Sequence, residues 1–472
     1  MTALVWYRND LRVQDHQALS AALGRDGPVR ALYLLCPAQW DAHDVAPIRR
    51  WYVLESLREL GTSLGRLGIV LDIVDAGNFA GVPGALADYC RAHGVSALFS
   101  TREYPLNERR RDQAVVEALR PLGVELKGFD DAVLVPSRVL RTGQGTPYTV
   151  FTPYRRRWDA LLAEQPPGLP LTPAPARSTR AVPFDASMID RALAAIDLPP
   201  GLTDGWQAGE RAARKQLDSF VDGPLRHYKR DRDMPSLPGT SLLSTALSAG
   251  TLSVKRCFIE ADARRASGPE GVTTWISELA WRDFYRQIMA NYPRLAWGEP
   301  FRPETGLVQW SSHDAHFQAW CEGRTGLPFV DANMRELNAT GFMSNRGRQN
   351  VASFLIHDLA MDWRLGATWF EQQLFDYDVA SNWGNWAYIA GAGTDPRQGR
   401  WFNVLNQALR YDPRGDYVCH WIPELKTLEA GHRHTPFLLP AHRRTALGLP
   451  DLVIPPPRGW HDDLNTRPQR KA

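Results

Sequence analysis

The sequence predicts an α/β domain with a parallel, Rossmann-like sheet, followed by a long connector and an all-α domain. Three observations lead to this prediction: a length of 472 residues, an alternation of apolar and amphipathic stretches over residues 1–130, and a helical period after residue 206. A chain of this length exceeds one ordinary hydrophobic core, so two or three domains are expected. Strands that alternate with helices form a parallel sheet covered on both faces.

The first segment, residues 1–130, is expected to hold five strands and four helices. The strands are short apolar runs: Ala3–Tyr7, Arg30–Cys36, Ile69–Val74, Ala97–Ser100 and Val124–Gly128. The helices are the amphipathic stretches between them: Asp15–Leu23, Pro47–Leu67, Val82–His93 and Leu106–Leu122. This segment contains neither GxGxxG nor GxxxxGK[ST], so the usual dinucleotide or triphosphate loops are not predicted.

The connector, residues 131–205, shows neither the strand period nor the helical period. It contains a run rich in proline, alanine and serine, with Pro166, Pro167, Pro170, Pro173 and Pro175. Such a run predicts a long surface connection. Residues 206–425 show the helical period and are predicted to be helical. Glycine or proline stands near almost every candidate helix end. Residues 426–472, rich in proline, arginine and histidine, are predicted to form a loosely packed tail.

Composition excludes several classes of protein. The net charge of only +3 argues against a uniformly basic nucleic-acid binder, so a role on DNA would need a local basic patch. No run approaches the roughly 20 apolar residues that span a membrane, and the first residues predict a strand and a loop instead of a signal peptide. Five widely spaced cysteines argue against a zinc site or a disulfide framework and favour a reducing cytoplasm.

The usual catalytic motifs are also missing. The chain has no HExxH and no EF-hand loop. His432 and His434 stand in a polar segment, where histidines are expected to be exposed to solvent, so no metal site is predicted. The 17 tryptophans are more than a core requires, and they crowd into the second half of the chain.

Two dense stretches could form a ligand pocket. Arg324–Arg348 mixes glycine, asparagine and arginine, which suits a polar pocket or a phosphate-contacting surface; helix caps with a solvated face are the alternative. In Phe375–Pro396, a helix would place Asp378, Asn382 and Trp386 on one face. Small residues around them leave room for a flat ligand, although an aromatic stripe is also typical of a core.

A third stretch, WISELAWRDFYR (Trp275–Arg286), is predicted to be one helix. Trp275, Glu278 and Arg282 would share a face, and Trp281 would lie on a neighbouring face. A carboxylate could hydrogen-bond a base edge while an indole stacks on the base. A simple Glu–Arg pair over a tryptophan core is the alternative, and on these residues alone it is the favoured one.

Taken together, these motifs resemble the cryptochrome/photolyase family from Trp6 to about Leu425. The motifs are RNDLRVQDHQAL, FTPYRRRW, TSLLS, WRDFYR, ATGFMSNRGRQNVASF and DYDVASNWGNWAY. The resemblance implies an N-terminal α/β domain, a long connector and an all-helical FAD-binding domain. It also implies the activity of a deoxyribodipyrimidine photo-lyase, which uses light to split cyclobutane pyrimidine dimers in DNA. Its chemistry would be electron transfer from excited reduced FAD to a dimer flipped out of the base stack.

The resemblance assigns roles to individual residues. The FAD-binding positions are Tyr228, Thr240, Ser241, Leu243, Ser244, Trp275, Asn345, Arg348, Asp376, Asp378 and Asn382. Asn382 would face the flavin N5. A three-tryptophan chain that reduces the flavin under light would consist of Trp386, Trp363 and Trp310. The positions that touch the dimer are Glu278, Trp281, Arg282, Asn345, Gln349 and Tyr388.

The branch within the family is left open by two positions. The N-terminal half resembles class I enzymes, but Gln349 and Tyr388 stand where class I enzymes have methionine and a dimer-stacking tryptophan, which resembles the DASH cryptochromes. Both changes make the pocket more polar, so we expect weaker extrusion of a dimer from duplex DNA and a preference for single strands. Histidine at position 345 would mark a (6-4) photolyase, and Asn345 disfavours that subgroup.

An antenna site and the partners are implied as well. His43, Asn107 and Glu108 match residues that bind the folate chromophore 5,10-methenyltetrahydrofolate. Trp297 replaces a lysine common in class I folate binders, so a flavin or an empty antenna site stays open. The implied partner is DNA containing pyrimidine dimers, without a membrane or an obligate protein partner, and a monomer is expected. The alternatives are a DASH-type or other cryptochrome acting as a blue-light photoreceptor, and a helical electron-transfer flavoprotein.

Overall fold

The computed structural model describes residues 2–168, 171–173, 180–301, 309–394 and 399–456. The chain divides into two compact units, each built from segments that are distant in sequence. The first unit comprises Met1–Tyr228, Ser241–Glu299 and Leu374–Gly384, and the second comprises Lys229–Thr240, Pro300–Gln373 and Asn385–Ala472. The predicted combination of an α/β part and a helical part is confirmed, whereas the domain boundaries at residues 130, 205 and 425 stay a prediction.

A five-stranded parallel sheet forms the centre of the first unit. Its strands are β1 (Thr2–Tyr7), β2 (Val29–Leu35), β3 (Val70–Asp75), β4 (Val95–Thr101) and β5 (Glu125–Phe129), in the order β3-β2-β1-β4-β5. Val5 in β1 lies opposite Ala31 on one side and Phe99 on the other. Leu4 and Trp6 enter one apolar cluster and Val5 enters the cluster on the other face. Burial of both faces explains the near-continuous apolar runs that predicted these strands.

The helices that cover the sheet agree with the prediction. They are α1 (Gln17–Leu23), α2 (Pro37–Ala42), α3 (Pro47–Arg66), α4 (Val82–Ala92) and α5 (Leu106–Leu119). A 3₁₀ turn, Arg120–Leu122, extends α5 to the predicted end. Only α2 was not predicted, because six residues are too few to display a helical period.

Helices continue through the rest of the described chain. Those of the connector are α6 (Phe151–Glu164) and α7 (Ser187–Ala194). Those up to residue 300 are α8 (Glu210–Asp222), α9 (Tyr228–Asp231), α10 (Ser244–Ala249), α11 (Val254–Asp262) and α12 (Pro269–Asn291). The later ones are α13 (Asp314–Cys321), α14 (Pro328–Thr340), α15 (Asn345–Ser353), α16 (Trp363–Gln373), α17 (Val379–Ala390), α18 (Val404–Tyr411), α19 (Asp416–Trp421) and α20 (Ala441–Ala446). In the residues described between 206 and 425 no strand occurs, and none of the described helices is long and apolar enough to cross a membrane.

The connector is packed more firmly than a surface connection would be. The carboxylate of Asp283, in α12, is buried, and its Oδ2 accepts three hydrogen bonds from the connector. The donors are the backbone N–H groups of Leu134 and Val135, at 2.9 and 3.1 Å, and the indole N–H of Trp158, at 3.1 Å. The connector is therefore anchored to α12 before the proline run, which is the part that was predicted to be a surface connection. In the proline run, Pro170 and Pro175 lie outside the described residues.

The predicted loose tail is wrong for its first part. Leu428, His434 and Thr435 are buried, and only 2% of His434 is exposed to solvent. The Nε2 of His434 lies 2.6 Å from the carbonyl oxygen of Asp412, and burial lowers the pKa of the imidazole. The expectation that His434 would be exposed fails because this carbonyl supplies a polar partner inside the fold, whereas His432 is exposed as predicted. Residues 457–472 of the tail lie outside the described residues.

Candidate functional site

Helix α12 carries the predicted face of tryptophan, glutamate and arginine. Trp275 is buried, and its ring lies 5.3 Å from that of Phe220. Tyr228 packs edge-on against the same phenyl ring, with centroids 5.9 Å apart. Two of the predicted FAD-binding residues are therefore held by one phenylalanine of α8. Glu278 lies on the same face of the helix as Trp275, half-buried.

The two arginines of α12 converge on one backbone carbonyl. The guanidinium groups of Arg282 and Arg286 donate to the oxygen of Ala132, at 2.7 and 2.8 Å. Arg282 also donates to the oxygen of Leu247, at 3.0 Å. Burial and the neighbouring charge of Arg286 together lower the pKa of Arg282 to about 9, although Asp378 and Asp283 act in the opposite direction. This part of the first unit therefore carries positive charge that an anion would stabilise.

Asp378 is the main carboxylate partner of this positive charge. Its Oδ2 accepts a hydrogen bond from Arg286 at 3.0 Å, and its Oδ1 accepts one from the backbone N–H of Ser381 at 2.8 Å. Burial alone would raise the pKa of Asp378, but Arg286 and Arg282 outweigh burial and hold the pKa well below its usual range. The carboxylate is therefore an ionised N-cap of α17.

The predicted helical face of Asp378, Asn382 and Trp386 needs a correction. Helix α17 begins at Val379, so Asp378 is the N-cap of the helix and lies just before its first turn. Asn382 and Trp386 lie four residues apart within the helix and are both buried. The spacing was read correctly, but it could not distinguish a residue inside the helix from its cap.

Two arginines near these carboxylates were not predicted. Arg286 follows Arg282 by one helical turn, and its place in WRDFYR was the signal that could have identified it. Arg49 comes from α3 and donates to the hydroxyl of Ser248 at 2.9 Å. Burial lowers the pKa of Arg49 although Asp378 and the neighbouring Asp376 act in the opposite direction. No local pattern in α3 distinguishes Arg49, since its partners are distant in sequence.

The predicted loop Thr240–Ser244 lies directly before α10. Leu243 is buried and its N–H points to the hydroxyl of Ser241. The amide of Gln216 donates to the carbonyl oxygen of Ser241 at 3.0 Å. Leu242 adopts a left-handed φ of 53° and is 39% exposed. The loop therefore offers hydroxyl groups beside a short helix, which suits phosphate oxygens.

In the second unit, α15 arranges three of the predicted residues. Ser344 caps this helix by accepting from the N–H of Gly347 at 3.1 Å, and Asn345 is exposed at its first position. The Nε of Arg348 donates to the carbonyl oxygen of Met343 at 2.9 Å. Gln349 accepts from Arg346 at 2.9 Å. The amide of Gln349 is therefore oriented by an arginine.

The three predicted tryptophans differ in burial. Trp386 and Trp363 are 3% and 1% exposed, whereas Trp310 is half-buried. The ring of Trp386 lies edge-on to Phe370, at 5.0 Å, and to Trp320, at 6.2 Å. Trp320 was not predicted, although it contacts the first member of the chain. The series from a half-buried indole to two buried ones is compatible with transfer of an electron from the surface towards the buried Trp386.

Tyr388, a predicted dimer-contacting residue, lies under a cation. The guanidinium carbon of Arg400 is 5.0 Å from the centroid of its ring. The backbone N–H of Arg400 donates to Ile389 at 2.9 Å, which fixes the arginine beside the tyrosine. Tyr388 therefore offers a phenol and an adjacent positive charge, a more polar surface than an indole.

The predicted antenna residues lie in the first unit. Asn107 and Glu108 occupy the first turn of α5, and His43, exposed, ends α2. Burial, together with the nearby carboxylate of Glu103, raises the pKa of Glu108 to about 7. The ring of Trp297 is 47% exposed and lies 4.9 Å from the guanidinium of Arg110.

A polar network fills the carboxyl ends of β1 and β4, where the strand order reverses. The amide of Asn9 donates to Glu103 at 2.6 Å, and Arg111 donates to the same carboxylate at 2.7 Å. The guanidinium groups of Arg8 and Arg111 lie over the ring of Trp6, at 4.3 and 4.9 Å. Ligands of open α/β sheets bind at such reversals, so the predicted antenna residues lie beside a suitable position.

Glu336, in α14, is a buried acid that no sequence pattern identified. Its carboxylate accepts a hydrogen bond from the hydroxyl of Tyr417 at 2.6 Å. Burial raises its pKa to about 7, although Tyr417 and the nearby charge of Arg348 act in the opposite direction. Arg348 is a predicted FAD-binding residue, so Glu336 lies near a residue of the predicted FAD site.

The variant Glu336→Gln is expected to be more stable than the wild type at pH 8 but not at pH 4.5. Between the usual pKa of 4.5 and the raised pKa of about 7, the unfolded chain releases this proton while the folded chain retains it. The wild type therefore loses stability across this window as the pH rises. Urea unfolding at several pH values measures the difference, and parallel curves for both proteins would contradict the expectation.

The donor set of the first unit fits an anionic cofactor. Arg49, Arg282 and Arg286 lie among the carboxylates of Asp283, Asp376 and Asp378, and serine hydroxyls lie at the start of α10. These arginines and hydroxyls can donate hydrogen bonds to the oxygens of a diphosphate. A metal cluster is not formed, since the described residues contain no group of three or more metal-binding side chains. All five cysteines are buried free thiols.

Comparisons with known proteins show the family of the chain. The profile of the family described as DNA photolyase matches residues 3–176, and the profile described as FAD binding domain of DNA photolyase matches residues 275–451. The deoxyribodipyrimidine photo-lyase of Salmonella typhimurium is 40% identical over 464 residues, which cover 96% of this chain and 95% of that protein. The cryptochrome DASH of Gloeobacter violaceus is 38% identical over 461 residues, covering 94% and 90% of the two chains.

The fold is also similar to that of a solved photolyase structure. The class III photolyase of Agrobacterium tumefaciens superposes with a TM-score of 0.85 and 31% sequence identity. The match covers 98% of this chain and 95% of that one. Relatives named photo-lyase and relatives named cryptochrome thus both match almost the whole chain.

Proposed function

Because this chain belongs to the DNA photolyase and cryptochrome family, we propose that it repairs cyclobutane pyrimidine dimers in DNA under light. The observation that supports this most directly is helix α12, where Glu278 and Trp281 stand beside the half-buried, cofactor-compatible cluster of Arg282, Arg286 and Asp378. Photo-lyases named for this reaction match the chain over nearly its whole length. When bound, FAD supplies the light-driven electron transfer that opens the cyclobutane ring.

The protein's own residues then bind and orient the substrate. A dimer must leave the base stack to reach the site, and its poor stacking makes extrusion less costly than for an intact pair. We assign Trp281 to stacking on the extruded dimer and Glu278 to hydrogen bonding with a base edge. Asn345, Gln349 and Tyr388 complete the contacts in this proposal.

The cofactor contacts in this proposal are the FAD-binding positions that the family resemblance assigns. Within the first unit, Trp275 and Tyr228 are fixed by Phe220, and Asp378 is fixed by Arg286. Within the second unit, the start of α15 contributes Asn345 and Arg348. We further assign His43, Asn107 and Glu108 to a folate antenna, the position beside the reversal of strand order.

A blue-light photoreceptor with little or no repair is the second candidate. The polar character of Gln349, oriented by Arg346, and of Tyr388, beneath Arg400, favours it. A DASH cryptochrome is also similar to this chain over most of its length. The retention of Glu278 and Trp281 favours repair, and the cytoplasmic location and monomeric state stay predictions from the sequence.

A repair assay distinguishes these functions. The photoreduced protein would be given thymine dimers in matched single-stranded and duplex oligonucleotides under blue light, with a dark control. We expect light-dependent repair that is faster on the single strand, because a polar pocket extrudes a dimer from a duplex less readily. Equal rates on both substrates would overturn the preference for single strands. Absence of repair by FAD-loaded protein would favour the photoreceptor.

A further inference from the structure

The indole of Trp281 stacks flat on a phenyl ring from another helix. Its ring centroid lies 3.5 Å from that of Phe151, and the two planes differ by 6°. Phe284 packs edge-on against both rings, at 5.7 Å in each case. Trp281 is thus supported on one face and along one edge, and few rotations of the indole remain open.

The phenylalanine belongs to the motif FTPYRRRW, for which the proposed reaction gave no role. Phe151, Tyr154 and Trp158 occur at i, i+3 and i+7, so they lie on one face of α6. The ring of Tyr154 lies 5.1 Å from that of Phe284, and the indole of Trp158 donates to Asp283. Helix α6 is therefore anchored to α12 at two further points, which fixes Phe151 beneath Trp281.

We infer that Phe151 is a positioning residue, which fixes the plane of Trp281 so that the indole meets an extruded dimer without first losing rotational freedom. This inference rests on the proposed function, because it assumes that Trp281 contacts the dimer. A side chain whose orientation is fixed before binding increases affinity by reducing the entropy lost on binding. The role of Phe151 is therefore specific to damaged DNA and does not extend to phosphate contacts along an intact strand.

The test compares Phe151→Leu with Phe151→Tyr and with the control Phe258→Leu. Phe258, in α11, is half-buried and packs edge-on against Trp158 at 6.1 Å, and the ring contact described for it does not involve Trp281. Each protein would be titrated with a dimer-containing oligonucleotide and with its undamaged counterpart, and its FAD content would be read from absorbance. We expect Phe151→Leu to lose about two- to twelvefold in affinity for the dimer, the range of one aromatic pair. Its FAD content and its affinity for undamaged DNA should be retained.

The other variants make the result specific. Phe151→Tyr preserves the flat ring and should restore the affinity, while Phe258→Leu should match the wild type. Unchanged dimer affinity of Phe151→Leu would overturn the inference. A gain in affinity would also overturn it, since Phe151 would then occupy the face that a base needs. An equal loss for undamaged DNA or for Phe258→Leu would show general damage to packing instead of positioning. If the wild type itself does not bind the dimer more tightly than undamaged DNA, the proposed function fails, and the inference about Phe151 fails with it.

Discussion

Replacement of Trp363 by phenylalanine is expected to slow the light-driven reduction of bound FAD by about tenfold or more. A tenfold slowing corresponds to an activation free energy raised by about 1.4 kcal/mol. Trp363 is 1% exposed, and phenylalanine retains most of the buried volume while it removes the more easily oxidised indole. The fold and the FAD content should therefore persist. Absorbance of the flavin during blue illumination in the presence of a thiol measures the rate.

The control for this variant is Trp320→Phe. Trp320 is fully buried in the same unit and contacts Trp386, but it lies outside the proposed series of Trp386, Trp363 and Trp310. The Trp320→Phe variant should reduce FAD at nearly the wild-type rate, although the hydrogen bond from the Trp320 indole N–H to the carbonyl oxygen of Val351 is lost. Chemically reduced Trp363→Phe should repair dimers normally. Undiminished photoreduction in Trp363→Phe would exclude this residue from the path.

Replacement of Arg286 by methionine is expected to lower the free energy of unfolding by about 3 kcal/mol and to reduce FAD content. Removal of one partner of a largely buried ion pair costs ~3–5 kcal/mol because the other charge is left unpaired. Asp378 would be that charge; the two side chains are 11% and 20% exposed. The loss lies at the low end of the range because the repulsion between Arg286 and Arg282 is relieved at the same time.

Arg265→Met provides the matched comparison. Arg265 pairs with Asp262 at 2.6 Å, but these side chains are 47% and 45% exposed, and exposed pairs contribute only ~0–1 kcal/mol. Urea unfolding of both variants gives the two free energies, and absorbance of the purified proteins gives FAD content. Similar losses in the two variants would show that the pair of Arg286 and Asp378 has no special place in the site.

The sheet could be predicted because strands that are buried on both faces appear in the sequence as apolar runs. Each strand of the first unit is an apolar run, and the five runs were placed within two residues of the observed limits. The stretch Trp275–Arg286 was also predicted as one helix, and the structure extends that helix to Pro269–Asn291. Short elements such as α2 gave no such trace.

The contacts that the sequence could not reveal are those between distant residues. Arg49 in α3 lies near Asp376 and Asp378, and nothing in its own helix indicates so. His434 was expected at the surface because its neighbours are polar, yet the carbonyl of Asp412 gives it a place inside. Asp378 could have been identified as a cap, since aspartate is among the favoured residues at that position.

The hydrogen bonds to Asp283 have a consequence for the covalent connectivity of the chain. Leu134, Val135 and Trp158 all precede residue 165, whereas Asp283 follows residue 186. The hydrogen bonds to Asp283 therefore join the sheet-bearing segment to α12 in addition to the peptide bonds between residues 165 and 186. Two fragments divided between these residues would still carry the three donors and their acceptor, which is a requirement for joining the protein from separately made halves.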